Sequence, residues 1–168
     1  MRNLLTALLT TGALLGAAGG ASAVGTATTT FTVTATVNTN CRVSAAPLTF
    51  NYTPGLGDVT NSTTVTVNCT KGTAFNTALT AGLTTGSSTA QRLLNDGAAG
   101  DTLQYNLYTS SALTTPWGVT INTDTVPGTG TGMGAAVTQT VYGKVVDSAN
   151  QGIPPGTYSD TITVNVTY

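Results

Sequence analysis

The chain has 168 residues, of which only five are basic and six acidic, with no histidine and a formal net charge of −1. Without a basic cluster, the sequence offers no surface for nucleic acid and no polybasic anchor for anionic lipid. All six acidic residues are aspartates, so the usual general bases are reduced to aspartate and lysine. We therefore predict no catalytic residue, no cofactor, no metal and no small-molecule substrate.

Residues 1–23 are typical of a secretory signal peptide. A short start containing Arg2 precedes an apolar run from Leu4 to Ala18, and Ala21, Ser22 and Ala23 supply a small-residue cleavage site. The apolar run is too short for a membrane span. Cleavage after Ala23 would leave one domain of ordinary size, and we expect it to be exported.

The composition after this segment favours an all-β protein. Threonine is the most frequent residue, glycine follows with 20, and no stretch keeps the apolar spacing of an amphipathic helix. Many short alternating segments separated by turn residues are typical of a two-sheet antiparallel sandwich of seven or eight strands.

Residues 28–37 form the first alternating segment. Phe31, Val33, Ala35 and Val37 alternate with threonines, which predicts a strand with one apolar face and one wet face. Such a strand could be the first strand of a self-contained sandwich, or it could lie in the groove of another subunit. The pattern alone leaves both interpretations open.

Cys41 and Cys69 are the only cysteines of the chain. An even pair in an exported protein predicts one disulfide, which would close a loop of about 29 residues and stabilise by roughly 3–4 kcal/mol. Two free thiols or a zinc site are the alternatives, but two cysteines without any histidine cannot complete a structural zinc site.

Further strands are predicted along the rest of the chain. They cover residues 48–52, 62–69, 75–81, 102–108, 119–121, 138–146 and 157–168. The stretch 124–136 has no convincing pattern and receives no role. In the last strand, Ile162, Val164, Val166 and Tyr168 share one face. Trp117 is expected in the core, with an adhesive surface position as the alternative.

Several motifs occur in an order that resembles a known family. They are Phe31-x-Val33 leading to Cys41, Leu103-x-Tyr105-Asn106-Leu107-Tyr108, Trp117-Gly118, and Gly156-x-Tyr158-x-Asp160-Thr161-x-x-Val164. Together with the cysteine pair and the signal peptide, they resemble the spore coat protein U domain of archaic (Csu-type) chaperone–usher pilins.

This resemblance implies an immunoglobulin-like sandwich that lacks a strand and is completed by strand donation. It implies three segments: residues 1–23 as signal peptide, 24–40 as donor strand and linker, and 41–168 as the pilin domain. Phe31, Val33, Ala35 and Val37 would form the donor face. Ile162, Val164, Val166 and Tyr168 would line the edge strand that borders the groove and meets a chaperone.

The function implied is that of a structural subunit of an extracellular fibre that supports attachment or biofilm formation. Its expected partners are neighbouring copies or related pilins, a periplasmic chaperone and an outer-membrane usher. The alternative is a spore or cell coat protein of the same fold that forms no pilus. An enzyme is disfavoured, because the spacing of Asp96 and Asp101 fits neither a calcium loop nor an acid–base pair.

Overall fold

The computed structural model describes residues 24–97 and 100–168. The predicted signal peptide therefore lies outside the described residues. The chain divides into two units, Met1–Ala35 and Thr36–Tyr168. No helix among the described residues has the length and apolar character needed to cross a membrane.

The described part of the first unit, residues 24–35, contains no helix and no strand. Phe31 and Val33 are 84% and 79% exposed there, and Ala35 is exposed as well. Residues 36–40 of the second unit also lie outside any strand, and Val37 is 81% exposed. The prediction of a strand over residues 28–37 is therefore wrong for this chain by itself, because a strand exists only where another strand completes its hydrogen bonds. The interpretation as an internal first strand is wrong for the same reason.

The described residues of the second unit form eight strands and one helical turn. The strands are β1 (Cys41–Ala45), β2 (Val59–Cys69), β3 (Ala74–Leu79), β4 (Arg92–Asn95), β5 (Thr102–Tyr108), β6 (Val126–Thr129), β7 (Val137–Val145) and β8 (Val164–Thr167), and the turn is α1 (Asp147–Asn150).

The strands form two antiparallel sheets. One has five strands in the order β1-β2-β7-β5-β4, and the other has three in the order β6-β3-β8. The prediction of an all-β, immunoglobulin-like sandwich is confirmed. In this order β1 and β8 are edge strands, one in each sheet.

The core lies between the two sheets and is built from alternate residues of their strands. Its fully or nearly fully buried members are Val65, Val67, Cys69, Phe75, Leu79, Leu103, Tyr105, Leu107, Trp117, Val141 and Val145. Trp117 donates its indole N–H to the Thr77 carbonyl oxygen at 2.8 Å. The expectation that Trp117 belongs to the core is thus confirmed.

Two further predicted strands, over residues 48–52 and 119–121, are absent from the structure. Residues 48–52 form no ladder, although Leu48, Phe50 and Tyr52 alternate inward and pack on the core. Side chains replace the ladder: Asn61 Nδ2 donates to the Thr49 carbonyl oxygen at 2.7 Å. Residues 119–121 instead enter a turn, whose backbone is held by Asp124.

Three strands were not predicted, namely β1, β4 and β6. β6 lies within the stretch 124–136, where Pro127 occupies an edge position at which its missing N–H costs nothing. β4 contains Arg92, whose guanidinium is fully buried. A charged residue at an inward position interrupts the apolar alternation by which a core-facing strand is predicted. The final strand is also shorter than predicted, because residues 157–163 precede the ladder of β8.

Candidate functional site

An open groove lies between β1 and β8. One flank is β1 with the segment 46–50 that follows it, and the other is β8 with the residues 160–163 that precede it. A cavity of about 270 Å³ opens here. It is lined by Ala45, Ala46, Pro47, Leu48, Phe50, Thr63, Val65, Leu79, Leu94, Tyr105, Leu107, Val141, Asp160, Ile162 and Val164. Side chains of the core thus form the floor of the groove.

The groove continues beyond this cavity. A second cavity of about 730 Å³ shares Leu48, Phe50 and Leu94 with the first and extends between residues 51–54 and 153–158. As the first flank advances from 45 to 54, the facing flank runs back from 164 to 153. The two flanks are therefore antiparallel, and a strand between them would run parallel to one flank and antiparallel to the other.

The side chains of β1 that face the interior are left partly uncovered. Val43 lies opposite Val67 and Ala45 opposite Val65, and both partners on β2 are fully buried. Directly paired residues point to the same face of a sheet, so Val43 and Ala45 also point to the interior. Nevertheless Val43 is 40% exposed and Ala45 is exposed. The sandwich is therefore open along this edge.

The backbone of β1 is also available on the groove side. Thr70 N donates to Asn40 O at 2.9 Å, and Ala46 N donates to Thr64 O at 3.0 Å. Alternate residues of an antiparallel strand bond to opposite sides, so even-numbered residues serve β2. The N–H and C=O groups of Cys41, Val43 and Ala45 consequently point into the gap.

The same reasoning applies to β8, which pairs only with β3 among the described strands. Thr80 N donates to Thr163 O at 3.1 Å, which places the odd-numbered residues of β8 on the β3 side. The backbone groups of Val164 and Val166 then point toward the gap. Their side chains lie opposite Leu79 and Thr77 and face the interior. Both flanks therefore direct backbone N–H and C=O groups toward the gap.

The four predicted edge residues are placed differently. Val164 and Val166 lie in β8, Ile162 just before it and Tyr168 just after it. The first three are half-buried, and Ile162 and Val164 line the cavity, whereas Tyr168 is 56% exposed. The predicted donor residues lie outside any strand and are exposed. The roles assigned to both sets remain predictions.

The disulfide is present as predicted. Cys41 and Cys69 are bonded and are direct register partners of β1 and β2. Cys69 is fully buried, so the bond fixes the first residue of β1 to the core. The start of the groove's first flank is thereby covalently anchored.

Asp160 anchors the second flank, a role that was not predicted from the sequence. Its Oδ1 accepts hydrogen bonds from Leu83 N and Thr161 N, both at 2.8 Å, and its Oδ2 accepts one from the Tyr105 hydroxyl at 2.7 Å. Gly82, with φ of +99°, passes so close to this carboxylate that a Cβ there would overlap it. Burial, followed by the hydrogen bond to Asp160, raises the pKa of Tyr105 well above its usual value. The tyrosine is therefore a neutral donor.

Arg92 is a second anchoring residue whose role was not predicted from the sequence. Its guanidinium is fully buried and donates to the carbonyl oxygens of Leu79 (3.1 Å), Thr80 (2.9 Å) and Trp117 (2.6 Å), and to Asn106 Oδ1 (2.6 Å). Leu79 and Thr80 are the residues that pair with the start of β8. Arg92 therefore fixes the end of β3 on which the second flank rests. Burial lowers its pKa from the usual value.

Gly143 explains how the segment 46–50 reaches the core. A Cβ at this position of β7 would overlap the side chains of Leu48 and Phe50. The missing side chain leaves room for both to pack over the sheet. The ring centroids of Phe50 and Tyr105 are 6.3 Å apart. The described residues contain no group of three or more His, Cys, Asp or Glu side chains that could hold a metal.

Comparison with known proteins agrees with this architecture. The family model of the Spore Coat Protein U domain matches residues 27–165. No curated protein matches the sequence. Among solved structures, the fold is similar to one in the CsuC–CsuE chaperone–tip adhesion subunit pre-assembly complex from archaic chaperone–usher Csu pili of Acinetobacter baumannii. The identity is 22% and the TM-score 0.55, with 79% of this chain and 41% of that chain covered.

At this identity the structural likeness concerns the fold, whereas the family model spans most of the sequence. This chain belongs to the Spore Coat Protein U domain family.

Proposed function

We propose that this protein is a structural subunit of an extracellular fibre of the archaic chaperone–usher type. Residues 28–37 of one copy would fill the groove of the next copy. The observation that carries the proposal is the groove itself, because it exposes core side chains between two edge strands, and no described strand pairs with either of them on the groove side. Such edges invite a strand from another chain.

The chemistry of the N-terminal segment fits this groove. Its apolar residues Phe31, Val33, Ala35 and Val37 recur at every second position, which is the spacing of side chains on one face of a strand. Burying them in a neighbour would contribute roughly 5–9 kcal/mol before ordering costs. The main-chain hydrogen bonds of a two-sided ladder would add to this value.

The proposed arrangement is head-to-tail. The donor segment and the groove are different surfaces, so each added copy leaves one groove and one segment unused, and the assembly grows as a filament. Before assembly, a periplasmic chaperone would cover the open groove. The subunit would then pass to an outer-membrane usher for assembly. We therefore place the finished protein at the cell surface, where its fibre would support attachment or biofilm formation.

A test uses the full chain with a charge placed on either face of the segment. The double variant Phe31→Asp/Val33→Asp should abolish the ladder of multimers that resists mild heating in detergent. The matched control Thr30→Asp/Thr32→Asp carries the same charges on the other face and should retain the ladder. A ladder in the first variant, or a strictly monomeric unmodified chain, would overturn the proposal.

The same strand exchange could also build a coat without forming a pilus. Electron microscopy of producing cells distinguishes the two assemblies, since a pilus appears as thin filaments and a coat as a continuous layer. Filaments that disappear in the Phe31→Asp/Val33→Asp strain support the proposed pilus.

A further inference from the structure

The linker that joins the N-terminal segment to β1 is held by one residue, Thr70, through both its backbone and its side chain. Thr70 N donates to Asn40 O at 2.9 Å, and Asn40 N donates to Thr70 Oγ1 at 3.0 Å. Both backbone polar groups of Asn40 are therefore bound to Thr70. The Thr70 hydroxyl also lies 3.5 Å from the Asn38 carbonyl oxygen. The next residue, Cys41, is fixed by the disulfide to Cys69, which adjoins Thr70.

This linker is short enough for a competing arrangement. The groove-side backbone of β1 begins at Cys41, directly after residues 38–40. A β-hairpin needs a connection of only two to five residues, and the two asparagines of the linker suit a turn. Folded back through such a turn, the segment 28–37 would pair with β1 and fill the groove of its own copy. That copy could then neither donate its strand nor accept one.

The direction of the backbone hydrogen bonds of β1 determines which residues would form this turn. Only the odd-numbered residues of β1 present their backbone to the groove, so Cys41 is the first residue with which a folded-back segment can pair. Pairing of Val37 with Cys41 would make Asn40 a turn residue, in competition with its two hydrogen bonds to Thr70. Val37, just before the linker, is 81% exposed.

We infer that Thr70 is a positioning residue that holds the linker against the end of β2, so that the N-terminal segment is available to a neighbour and not to its own groove. This inference rests on the proposed strand exchange. It assigns to Thr70 a role in choosing between a self-filled monomer and an assembling subunit.

The experiment measures the uptake of a labelled synthetic peptide of residues 28–37 by the monomeric full chain. Thr70→Val removes the hydroxyl and keeps the shape, and it should lower the fraction of chains that take up peptide about two- to tenfold. Thr70→Ser keeps the hydroxyl and should behave as the unmodified chain. Thr66→Val serves as control, since the Thr66 hydroxyl makes no hydrogen bond in the described part of the chain.

A second background separates self-filling from damage to the groove. In Phe31→Asp/Val33→Asp the chain's own segment cannot enter any groove, so Thr70→Val should no longer reduce peptide uptake. Reduced uptake in this background, or equal uptake by Thr70→Val and Thr66→Val in the unmodified background, would overturn the inference. If the peptide enters no variant at all, the proposed strand exchange itself is wrong.

Discussion

The Tyr105 hydroxyl donates to Asp160 Oδ2 at 2.7 Å, and this hydrogen bond joins the five-stranded sheet to the residues that lead into β8. The same aspartate accepts hydrogen bonds from the backbone N–H groups of Leu83 and Thr161. Nearby, Ser159 and Asn95 exchange two backbone hydrogen bonds of 2.9 Å, which tie this segment to β4. The second flank of the groove is therefore positioned before any strand enters it.

Removing the Tyr105 hydroxyl should loosen that flank. We expect Tyr105→Phe to lower the free energy of unfolding by about 1–3 kcal/mol, because one oxygen of Asp160 loses its donor in a partly buried site. Urea unfolding measures this loss. Tyr108→Phe, on the same strand, is the matched control and should change stability by less than about 0.5 kcal/mol. Equal losses in the two variants would contradict the role given to the Tyr105–Asp160 bond.

A charge on the uncovered interior face of β1 should separate assembly from folding. In Val43→Asp the carboxylate stays hydrated in the monomer, but it would be desolvated beneath an inserted strand. We expect multimer formation to fall at least about tenfold while the free energy of unfolding changes by less than about 1 kcal/mol. Ser44→Asp places the same charge on the outer face and should assemble normally. Multimer analysis and urea unfolding of both variants decide the matter.

Replacing Arg92 should be far more costly. Arg92→Ala would leave the carbonyl oxygens of Leu79, Thr80 and Trp117 without their donor inside the core. We expect a loss of at least about 3 kcal/mol, which is exceptional for a single substitution. Arg42→Ala, at an exposed position of β1, is the control and should be nearly neutral. A loss below about 1 kcal/mol for Arg92→Ala would show that the network is not needed.

Much of this sandwich follows from side-chain alternation. β2, β5 and β7 are long, and their apolar residues recur at every second position, so their existence and inward faces could be read directly. The disulfide likewise follows from the count of cysteines. Alternation led to a wrong prediction where side chains alternate inward but the backbone pairs with no other strand. Leu48 and Phe50 alternate inward, yet their segment finds no partner strand, because the groove lies where that partner would be.

The two anchors of the groove could not be predicted from the sequence. Arg92 is a charged residue in a short strand, and only the tertiary arrangement of carbonyl oxygens around it shows why it can be buried. Asp160 holds its flank through a hydrogen bond from Tyr105, which is 55 residues away in the chain. The motif containing Asp160 was noticed for its order, but nothing in its spacing indicates which donors its carboxylate meets.

Breaking the disulfide should destabilise the first flank and the fold together. We expect Cys41→Ser/Cys69→Ser to lose about 2–5 kcal/mol, because the unfolded chain regains the freedom of a loop with a sequence separation of 28. Urea unfolding with and without reductant measures this loss. Reductant should affect the unmodified protein and leave the variant unchanged. A stability unaffected by the substitutions would contradict the anchoring role.

The free energy of unfolding should be constant over a broad range of pH, a plateau, and should fall at an acid edge and at an alkaline edge. On the acid side, the hydrogen bond from Lys144 holds the pKa of Asp58 below its ordinary value of 3.8, and hydrogen bonds from Tyr52, Gln151 and Gly55 do the same for Asp147. A carboxylate with a lowered pKa stabilises the fold above its unfolded value. This contribution is lost as the pH falls below about 4 through the lowered pKa.

On the alkaline side, desolvation and the hydrogen bond to Asp147 raise the pKa of Tyr52 from 10.0 to about 12. A phenol with a raised pKa stabilises the fold fully below its unfolded value, and this contribution is lost as the pH rises from about 10 toward 12. The chain has no histidine, and the pKa shifts of Asp58, Asp147 and Tyr52 all point away from neutral pH.

Urea unfolding at a series of pH values measures this profile. Asp147→Asn should weaken the acid edge, and Tyr52→Phe should weaken the alkaline edge, since each removes one titrating partner of the same hydrogen bond (2.8 Å). The plateau should be unchanged in shape in both variants. A clear change of stability near neutral pH would contradict this account, because none of the named groups titrates there.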